Sequence, residues 1–291
     1  MAGEKMREAV AAQPEWLAQV PTGLRLPAVR VVHVGCGTSF HAAQTGAAWP
    51  GGTALQALEA LLRPPDADAM VLVSHEGETA LTLEAAQAFS GPKWLVTGTE
   101  TGPIAELCEE VVVCTPAVEQ SWCHTASYTC AVAAIAALHG EDLSKLPGRV
   151  AEALARERFP VSAHERFLVA GAGRDWPTAQ EAVLKLREGV FVAAEAWETE
   201  QLLHGPLAAI DETVRCFVLE GEGRGAERAR GAVAALEAIG CDVVLVPTKH
   251  PVVDIVRFQL LTLDLAEARG VDPDLIRRDD ERWKRAAELH G

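Results

Sequence analysis

Three residues in the second half of the chain have side chains that can move protons. Lys185 and Glu188 are three positions apart in a segment of helical character, so they share one helix face. His204 precedes a Gly-Pro turn, which would hold its imidazole rigidly, and histidine titrates near neutral pH. A carboxylate and an imidazole can act as general base and acid. From the residues alone, a solvent ion pair and an ordinary surface histidine remain the commoner explanations.

Three loops in the first half have residues suited to binding an anion. Gly35 to Ser39 follows an apolar segment and leads into a small-residue helix, and Ser74 to Thr79 repeats this arrangement. Glu119 to Thr125 precedes a long Ala-rich segment and could cap it. Free N–H groups at helix starts attract anions. A capped strand–helix junction without any ligand is the commoner explanation for any one such loop.

The elements that position these loops alternate between strands and helices. Short apolar segments ending near glycine or a polar turn predict strands, and Ala- and Leu-rich segments predict the helices between them. The predicted strands are 29–35, 70–74, 94–98, 110–116, 167–173, 215–221 and 241–248. Regular alternation of this kind predicts an α/β fold with parallel sheets and crossover helices.

The pattern restarts after about residue 141, which indicates a tandem duplication. Residues 167–173 repeat the strand and G-x-G turn of 31–37. One large doubly wound domain is the alternative, but it explains the second G-x-G start less well. We therefore predict four segments, namely an N-terminal helix at 1–24, a first domain at 25–145, a second domain at 146–277 and a charged helical tail at 278–291.

Composition limits the class of protein. The chain has 291 residues, 49% of them hydrophobic, and a formal net charge of −15. An acidic protein is not attracted to nucleic acid or to an anionic membrane, so we expect neither as a partner. Seven cysteines without regular spacing indicate reduced thiols, and neither a signal sequence nor a membrane span is evident, so we expect a cytoplasmic protein.

Several motifs resemble the sugar isomerase (SIS) domain family, in particular the isomerase domain of glucosamine-6-phosphate synthase. Residues 180–188 resemble the family's L-E-G-A-L-K-L-K-E helix, and 201–207 resemble E-L-K-H-G-P-L. Residues 36–42 match C-G-T-S-x-H-A, and 74–79 match S-x-S-G-E-T in altered form. The ending 259–274 resembles the family's closing helix and turn. The resemblance covers nearly the whole chain. It does not extend to the glutaminase half of the synthase, so glutamine-dependent amination is not expected.

The resemblance implies two tandem SIS domains, each a three-layer αβα sandwich with a parallel, flavodoxin-like sheet, in a homodimer. It implies that Glu188 is the base that moves a proton between C1 and C2. Lys185 lies one turn before that base, and His204 would assist ring opening from the neighbouring subunit. No metal or organic cofactor is implied. The implied substrate-binding residues are Cys36, Gly37, Thr38, Ser39, Ser74, His75, Glu76, Gly77, Thr79, His124 and Thr125.

The chain departs from the family in three places. Glu76 replaces the second serine of the phosphate loop, and a carboxylate facing a phosphate would repel it. The loop at 123–126 lacks the family's lysine, and the closing lysine is missing as well. The cations that could replace that lysine are Arg277, Arg278 and Lys284, and the sequence does not choose among them. A metal site near His75 and His124 is conceivable, but the ligands lack a compact spacing.

Two functions follow from these observations. The first is an enzyme that isomerises, or isomerises and deaminates, a hexose or amino-sugar phosphate through an enediol with Glu188 as base. The alternative is a non-catalytic protein that binds or senses a sugar phosphate, which Glu76 and the missing lysine favour. A third possibility, a purely structural dimer partner, is disfavoured because the chain retains both Glu188 and His204 of the family's motifs.

Overall fold

The computed structural model describes residues 2–27, 29–156 and 158–290. The chain divides into two compact units, and each contains one parallel sheet. The first unit comprises Met1–Ala151 together with Asp272–Gly291, and the second comprises Glu152–Val271. The predicted α/β class with parallel sheets is confirmed.

The first unit is built on a five-stranded parallel sheet. Its strands are β1 (Val31–Gly35), β2 (Gly52–Gln56), β3 (Ala69–Val73), β4 (Lys93–Thr97) and β5 (Glu110–Val113), in the order β2-β1-β3-β4-β5. The strands β1 and β3 are buried along their whole length because helices cover both faces of the sheet. Such strands are continuous apolar segments, which is why the sequence predicted them.

Helices precede and follow these strands along the chain. They are α1 (Glu4–Leu17), α2 (Thr38–Thr45), α3 (Ala57–Leu62), α4 (Ala80–Ala88) and α5 (Ala126–Leu138). Every residue of α5 is buried, which explains its Ala-rich composition, because small side chains let neighbouring elements approach closely. The next helix, α6 (Leu146–Ala155), contains the junction between the two units.

The second unit is built on a four-stranded parallel sheet. Its strands are β6 (Arg166–Gly171), β7 (Ala193–Glu198), β8 (Val214–Glu220) and β9 (Asp242–Pro247), in the order β7-β6-β8-β9. Its helices are α7 (Trp176–Val190), α8 (Thr199–Leu203), α9 (Arg224–Ile239), α10 (Pro251–Asp254) and α11 (Val256–Arg269). A single residue, Ile255, separates α10 from α11.

The C-terminal segment belongs to the first unit. The Asp274 carboxylate accepts hydrogen bonds from the backbone N–H groups of Lys5 and Met6, at 3.0 and 2.7 Å. The last helix, α12 (Glu281–His290), follows this segment. Residues 272–277 therefore group with the first unit, whereas the sequence analysis placed them in the second domain. The sequence pattern does not show the side-chain contacts to α1 that hold this segment.

The two units repeat one local geometry after their first strand. A Cβ atom on Gly35 would lie 2.7 Å from the carbonyl oxygen of Ser39, and one on Gly171 would lie 2.7 Å from that of Asp175. Two residues later, Gly37 and Gly173 both have positive φ angles, of 54° and 58°. Only glycine allows this close strand–helix approach, so the two units share this turn in backbone detail, as a tandem duplication would require.

Candidate functional site

The predicted ligand loops of the first unit meet at the carboxyl edge of its sheet. The loop after β1 (36–37) and the loop after β3 (74–79) are adjacent because β1 and β3 are neighbours. Connections leave these two strands in opposite directions, which is where ligands bind in open α/β sheets. Thr38 and Ser39 line a small crevice there, together with His75 and His124.

Hydroxyl groups hold the 74–79 loop in shape. Ser74 is almost completely buried, and its Oγ lies 3.1 Å from Thr79 Oγ1. Thr79 precedes α4 without a side-chain cap, so the N–H groups at the start of that helix are not covered by a capping side chain. Cys36 contributes differently, because its Sγ lies 3.8 Å from Thr82 Oγ1 inside α4.

The carboxylate of Glu76 lies on the exposed side of its loop, whereas the next residue, Gly77, is buried with φ at 70°. A carboxylate in water repels a nearby phosphate far less than a buried one does, because water and salt screen it. The exposed Glu76 carboxylate would therefore repel a phosphate at this loop less strongly than a buried carboxylate would.

His75 and His124 occupy much of the crevice. Their ring centroids are 4.7 Å apart in an edge-on arrangement, and His75 Nε2 accepts a hydrogen bond from the Glu119 N–H at 3.2 Å. Burial lowers the pKa of His75, opposed by the carboxylates of Glu119 and Glu76. The remaining space is about 20 Å³, which suits one water molecule. A bound phosphate would require these rings to move.

Glu119 closes the N-terminus of α5. One carboxylate oxygen accepts hydrogen bonds from the backbone N–H and hydroxyl of Thr125, both at 2.8 Å. The other oxygen accepts from the N–H and hydroxyl of Ser127, at 2.8 and 2.7 Å. The expectation that the 119–125 loop caps this helix is confirmed. The sequence analysis did not single out Glu119 as the capping side chain, although an acidic residue near a helix N-terminus is a known stabilising signal.

The second unit places Lys185 in a buried cluster of charges. Lys185 Nζ donates a hydrogen bond to Glu188 Oε2 at 2.7 Å and lies 3.4 Å from Glu181 Oε1. Lys185 and Glu181 are completely buried, whereas the Glu188 side chain is 25% exposed. This is not the solvent ion pair that was the commoner explanation. Sequence reasoning missed Glu181, although its spacing of four from Lys185 could have identified it.

His204 lies at the end of α8 and is 68% exposed. Its Nε2 is 2.8 Å from Glu200 Oε1, and Glu200 Oε2 accepts a hydrogen bond from Arg228 Nε at 2.6 Å. Arg228 and then His204 lower the pKa of Glu200. The imidazole is thus oriented by a fixed carboxylate while most of the ring remains open to solvent.

The tail cations differ in position. The Arg278 guanidinium stacks on Trp122 at 3.6 Å from the ring centroid, and Trp122 lies in the 119–125 loop. Arg277 instead stacks on Trp283, and Lys284 pairs with Glu281. Arg278 is therefore the candidate cation that contacts a predicted ligand loop.

The described part of the chain contains neither a metal-binding cluster nor a membrane-spanning helix. Within residues 2–27, 29–156 and 158–290, no three or more His, Cys, Asp and Glu side chains are grouped as a metal site would require. None of the helices in those same ranges has the length and apolar character needed to cross a bilayer.

The chain is similar in sequence to known sugar-phosphate enzymes. It is 30% identical over 266 residues to glutamine–fructose-6-phosphate aminotransferase [isomerizing] of Thermus thermophilus, which covers 73% of this chain and 44% of the relative. The chain spans about half the length of the curated relatives it matches. No family model matches the chain.

Solved structures share its fold along almost the whole length. The C-terminal domain of glucosamine-fructose-6-phosphate aminotransferase from Francisella tularensis superposes with a TM-score of 0.79 at 21% identity, covering 93% of this chain and 98% of that one. Glucosamine-6-phosphate deaminase from Thermotoga maritima gives 0.78 at 20% identity, covering 94% and 97%. At these identities the likeness establishes the fold.

Proposed function

We propose that the chain is a phosphosugar isomerase, or a closely related amino-sugar-phosphate deaminase, in which Glu188 moves a proton between adjacent carbons through an enediol. The observation that carries the proposal is the Glu181–Lys185–Glu188 cluster. It presents one partly exposed carboxylate whose position is fixed by a fully buried ammonium group. Aldose–ketose chemistry needs a group of this kind, which removes a proton and returns it on the same face.

Lys185 acts as a positioning residue in this proposal. Its ammonium holds Glu188 through a charge-assisted hydrogen bond, which is short and geometrically specific. Glu181 balances the buried positive charge from the preceding helical turn. The base is therefore oriented before substrate binds, which reduces the reorganisation needed in the transition state.

His204 and the first-unit loops have the remaining roles. The exposed His204 ring would assist sugar ring opening from a neighbouring copy in a homodimer, and Glu200 would keep it oriented. Ser74, Thr79 and the start of α4 would bind the phosphate. Names of similar proteins support this substrate class, since they include an isomerizing fructose-6-phosphate aminotransferase and a glucosamine-6-phosphate deaminase.

A binding or sensing protein without turnover is the second candidate. The first-unit crevice favours it, because His75 and His124 leave only about 20 Å³ there. Under this alternative a sugar phosphate would raise the melting temperature, since ligands that bind only the native state stabilise it, and no product would form.

The deciding experiment is an assay of fructose 6-phosphate and glucosamine 6-phosphate with three proteins. The wild type is compared with Glu188→Gln and with the control Glu237→Gln, which neutralises an exposed carboxylate on α9. The proposal requires turnover by the wild type and the control and its loss in Glu188→Gln. Stabilisation without turnover in all three would establish the second candidate instead.

A further inference from the structure

The second unit contains a cavity of about 430 Å³ at the carboxyl edge of its sheet. Its walls come from the segments after β6, β8 and β9, namely 172–175, 219–225 and 248–251. Cavities of this volume are typical of sites for small ligands. The strands β6 and β8 are neighbours whose connections leave in opposite directions, so the cavity lies at the switch point of this sheet.

This cavity is separate from the Glu188 cluster. Asp175, which lines it, precedes the first residue of α7, whereas Glu188 lies near the other end of the same helix. At 1.5 Å per residue, thirteen positions correspond to about 20 Å along the helix axis. A ligand in the cavity would therefore not contact the proposed catalytic carboxylate.

Two cations and two carboxylates line the cavity, namely Arg174, Lys249, Asp175 and Glu222. Arg174 and Lys249 are exposed, and within the described ranges neither side chain forms a salt bridge. The loop that carries Lys249 is fixed, because the Asp254 carboxylate accepts hydrogen bonds from the backbone N–H groups of Lys249 and His250. Arg174 and Lys249 favour an anionic group of a ligand at this rim, whereas Asp175 and Glu222 disfavour a ligand that is anionic throughout.

Two helix starts add to the attraction for an anion. The helices α7 and α9 have 15 and 16 residues, and both begin beside the cavity without a side-chain cap. At the start of α7 the N–H groups of Asp175 and Trp176 already bond to the Ala172 and Gly173 carbonyls, and Pro177 has no N–H. The positive ends of the two helix dipoles, rather than free N–H groups of α7, therefore favour a phosphate beside them. The glycines at 173, 221 and 225 let a ligand approach the backbone closely.

Asp175 supplies a second recognition element of opposite character. It is 8% exposed, and its Oδ2 accepts a hydrogen bond from Thr248 Oγ1 at 3.0 Å. The other carboxylate oxygen can accept a hydrogen bond from a hydroxyl group of a ligand. Burial raises the pKa of Asp175, opposed by the Thr248 hydroxyl and by Arg174. A desolvated carboxylate beside an anion site suits a ligand that carries hydroxyl groups next to its phosphate.

We propose that this cavity binds a phosphate-bearing polyol, with the phosphate on Arg174 and Lys249 beside the starts of α7 and α9, and a hydroxyl on Asp175. Free sugar phosphates and the ribose phosphate of nucleotides share this chemistry. The proposal does not depend on turnover at Glu188.

Titration calorimetry on the full chain tests it with inorganic phosphate, ribose 5-phosphate, fructose 6-phosphate and AMP. We expect the phosphorylated polyols to bind more tightly than inorganic phosphate. The comparison between AMP and the free sugar phosphates identifies the source of the ligand. Arg174→Ala should weaken binding by about tenfold or more, because it removes charge-assisted hydrogen bonds. The control Arg156→Ala removes the same charge from exposed surface elsewhere and should bind like the wild type.

Two further variants separate this site from the proposed active site. Asp175→Asn keeps an acceptor for Thr248 and should reduce the preference for ribose 5-phosphate over inorganic phosphate. Thr79→Val removes a hydroxyl from the first-unit loop and should leave Arg174-dependent binding unchanged. The proposal is overturned if no probe binds at millimolar concentration, or if Arg174→Ala binds as tightly as the wild type.

Discussion

Glu181 and Lys185 are both completely buried, and their charged atoms lie 3.4 Å apart on adjacent turns of α7. Taking two charges out of water is costly, and only good geometry and further hydrogen bonds compensate for it. Here the second partner of Lys185 is Glu188, which reaches solvent. The buried pair therefore holds in place a third charged group, the Glu188 carboxylate, which reaches solvent.

Removing the ammonium group should destabilise the protein strongly. Lys185→Met leaves Glu181 buried without its counter-charge, and breaking a buried pair in this way costs about 3–5 kcal/mol. Urea denaturation measures the free energy of unfolding. The double variant Glu181→Gln/Lys185→Met should recover part of this loss because no buried charge remains. Equal stability of wild type and Lys185→Met would show that Glu181 is not held by this pair.

The cap on α5 should contribute measurably to the stability of the first unit. Glu119→Ala removes the acceptor of four short hydrogen bonds from Thr125 and Ser127. We expect a loss on the order of 3 kcal/mol in the free energy of unfolding, since buried donors are left unpaired. Glu100→Ala, at an exposed position, is the matched control and should change stability little. Equal effects of the two substitutions would contradict the assigned role.

The buried His33 should make the protein sensitive to acid. Burial lowers its pKa to about 4, and its Nδ1 must donate to the Thr53 carbonyl, so Nε2 accepts from His139 Nε2 at 3.1 Å. Below the ordinary histidine pKa of 6.5, His33 binds a proton in the unfolded state but not in the folded state. Stability is therefore full above pH 6.5 and falls as the pH decreases toward 4.

Denaturation at pH 7 and pH 5 measures this loss. His33 should account for about 2 kcal/mol of it, since 1.4 kcal/mol corresponds to one pH unit. His33→Gln keeps a donor for the Thr53 carbonyl and removes the titrating group, so its pH dependence should be smaller. His139, whose pKa burial also lowers, should leave some residual slope. Identical slopes for wild type and variant would contradict this interpretation.

Most strands were predictable from the sequence, and the two that were missed share a physical cause. The strands β2 and β7 are edge strands that pair only with β1 and β6, respectively. Each is partly exposed, so neither is the continuous β-branched segment that marks a central strand. Their strand conformation comes from pairing with a neighbour rather than from local preference.

The sequence predicted the spacing of Lys185 and Glu188 on one helix face, but it did not predict that Lys185 is buried. The three-residue separation of Lys185 and Glu188 placed them on one face, yet the same spacing fits a solvated pair. Only the packed structure shows that Lys185 is buried. The reach of Glu119 back to α5 likewise depends on how a loop folds, which side-chain types alone do not determine.

The altered phosphate loop leads to a prediction about affinity. Glu76→Ser restores a hydroxyl and removes a negative charge beside the start of α4, so a sugar phosphate should bind about threefold to tenfold more tightly. Glu78→Ser makes the same change in charge at another exposed position of the loop. Calorimetric affinities at low salt compare the two. If both variants gain equally, the effect is one of net charge and Glu76 has no special position.

The proton-transfer role of Glu188 is the central claim, and isotope exchange tests it most directly. In D₂O the wild type should incorporate deuterium into fructose 6-phosphate at the carbon from which the proton is removed, as followed by NMR. Glu188→Gln should slow this exchange by about 10²- to 10⁴-fold, the usual contribution of a general base, while remaining folded. Exchange by Glu188→Gln at the wild-type rate would contradict the claim.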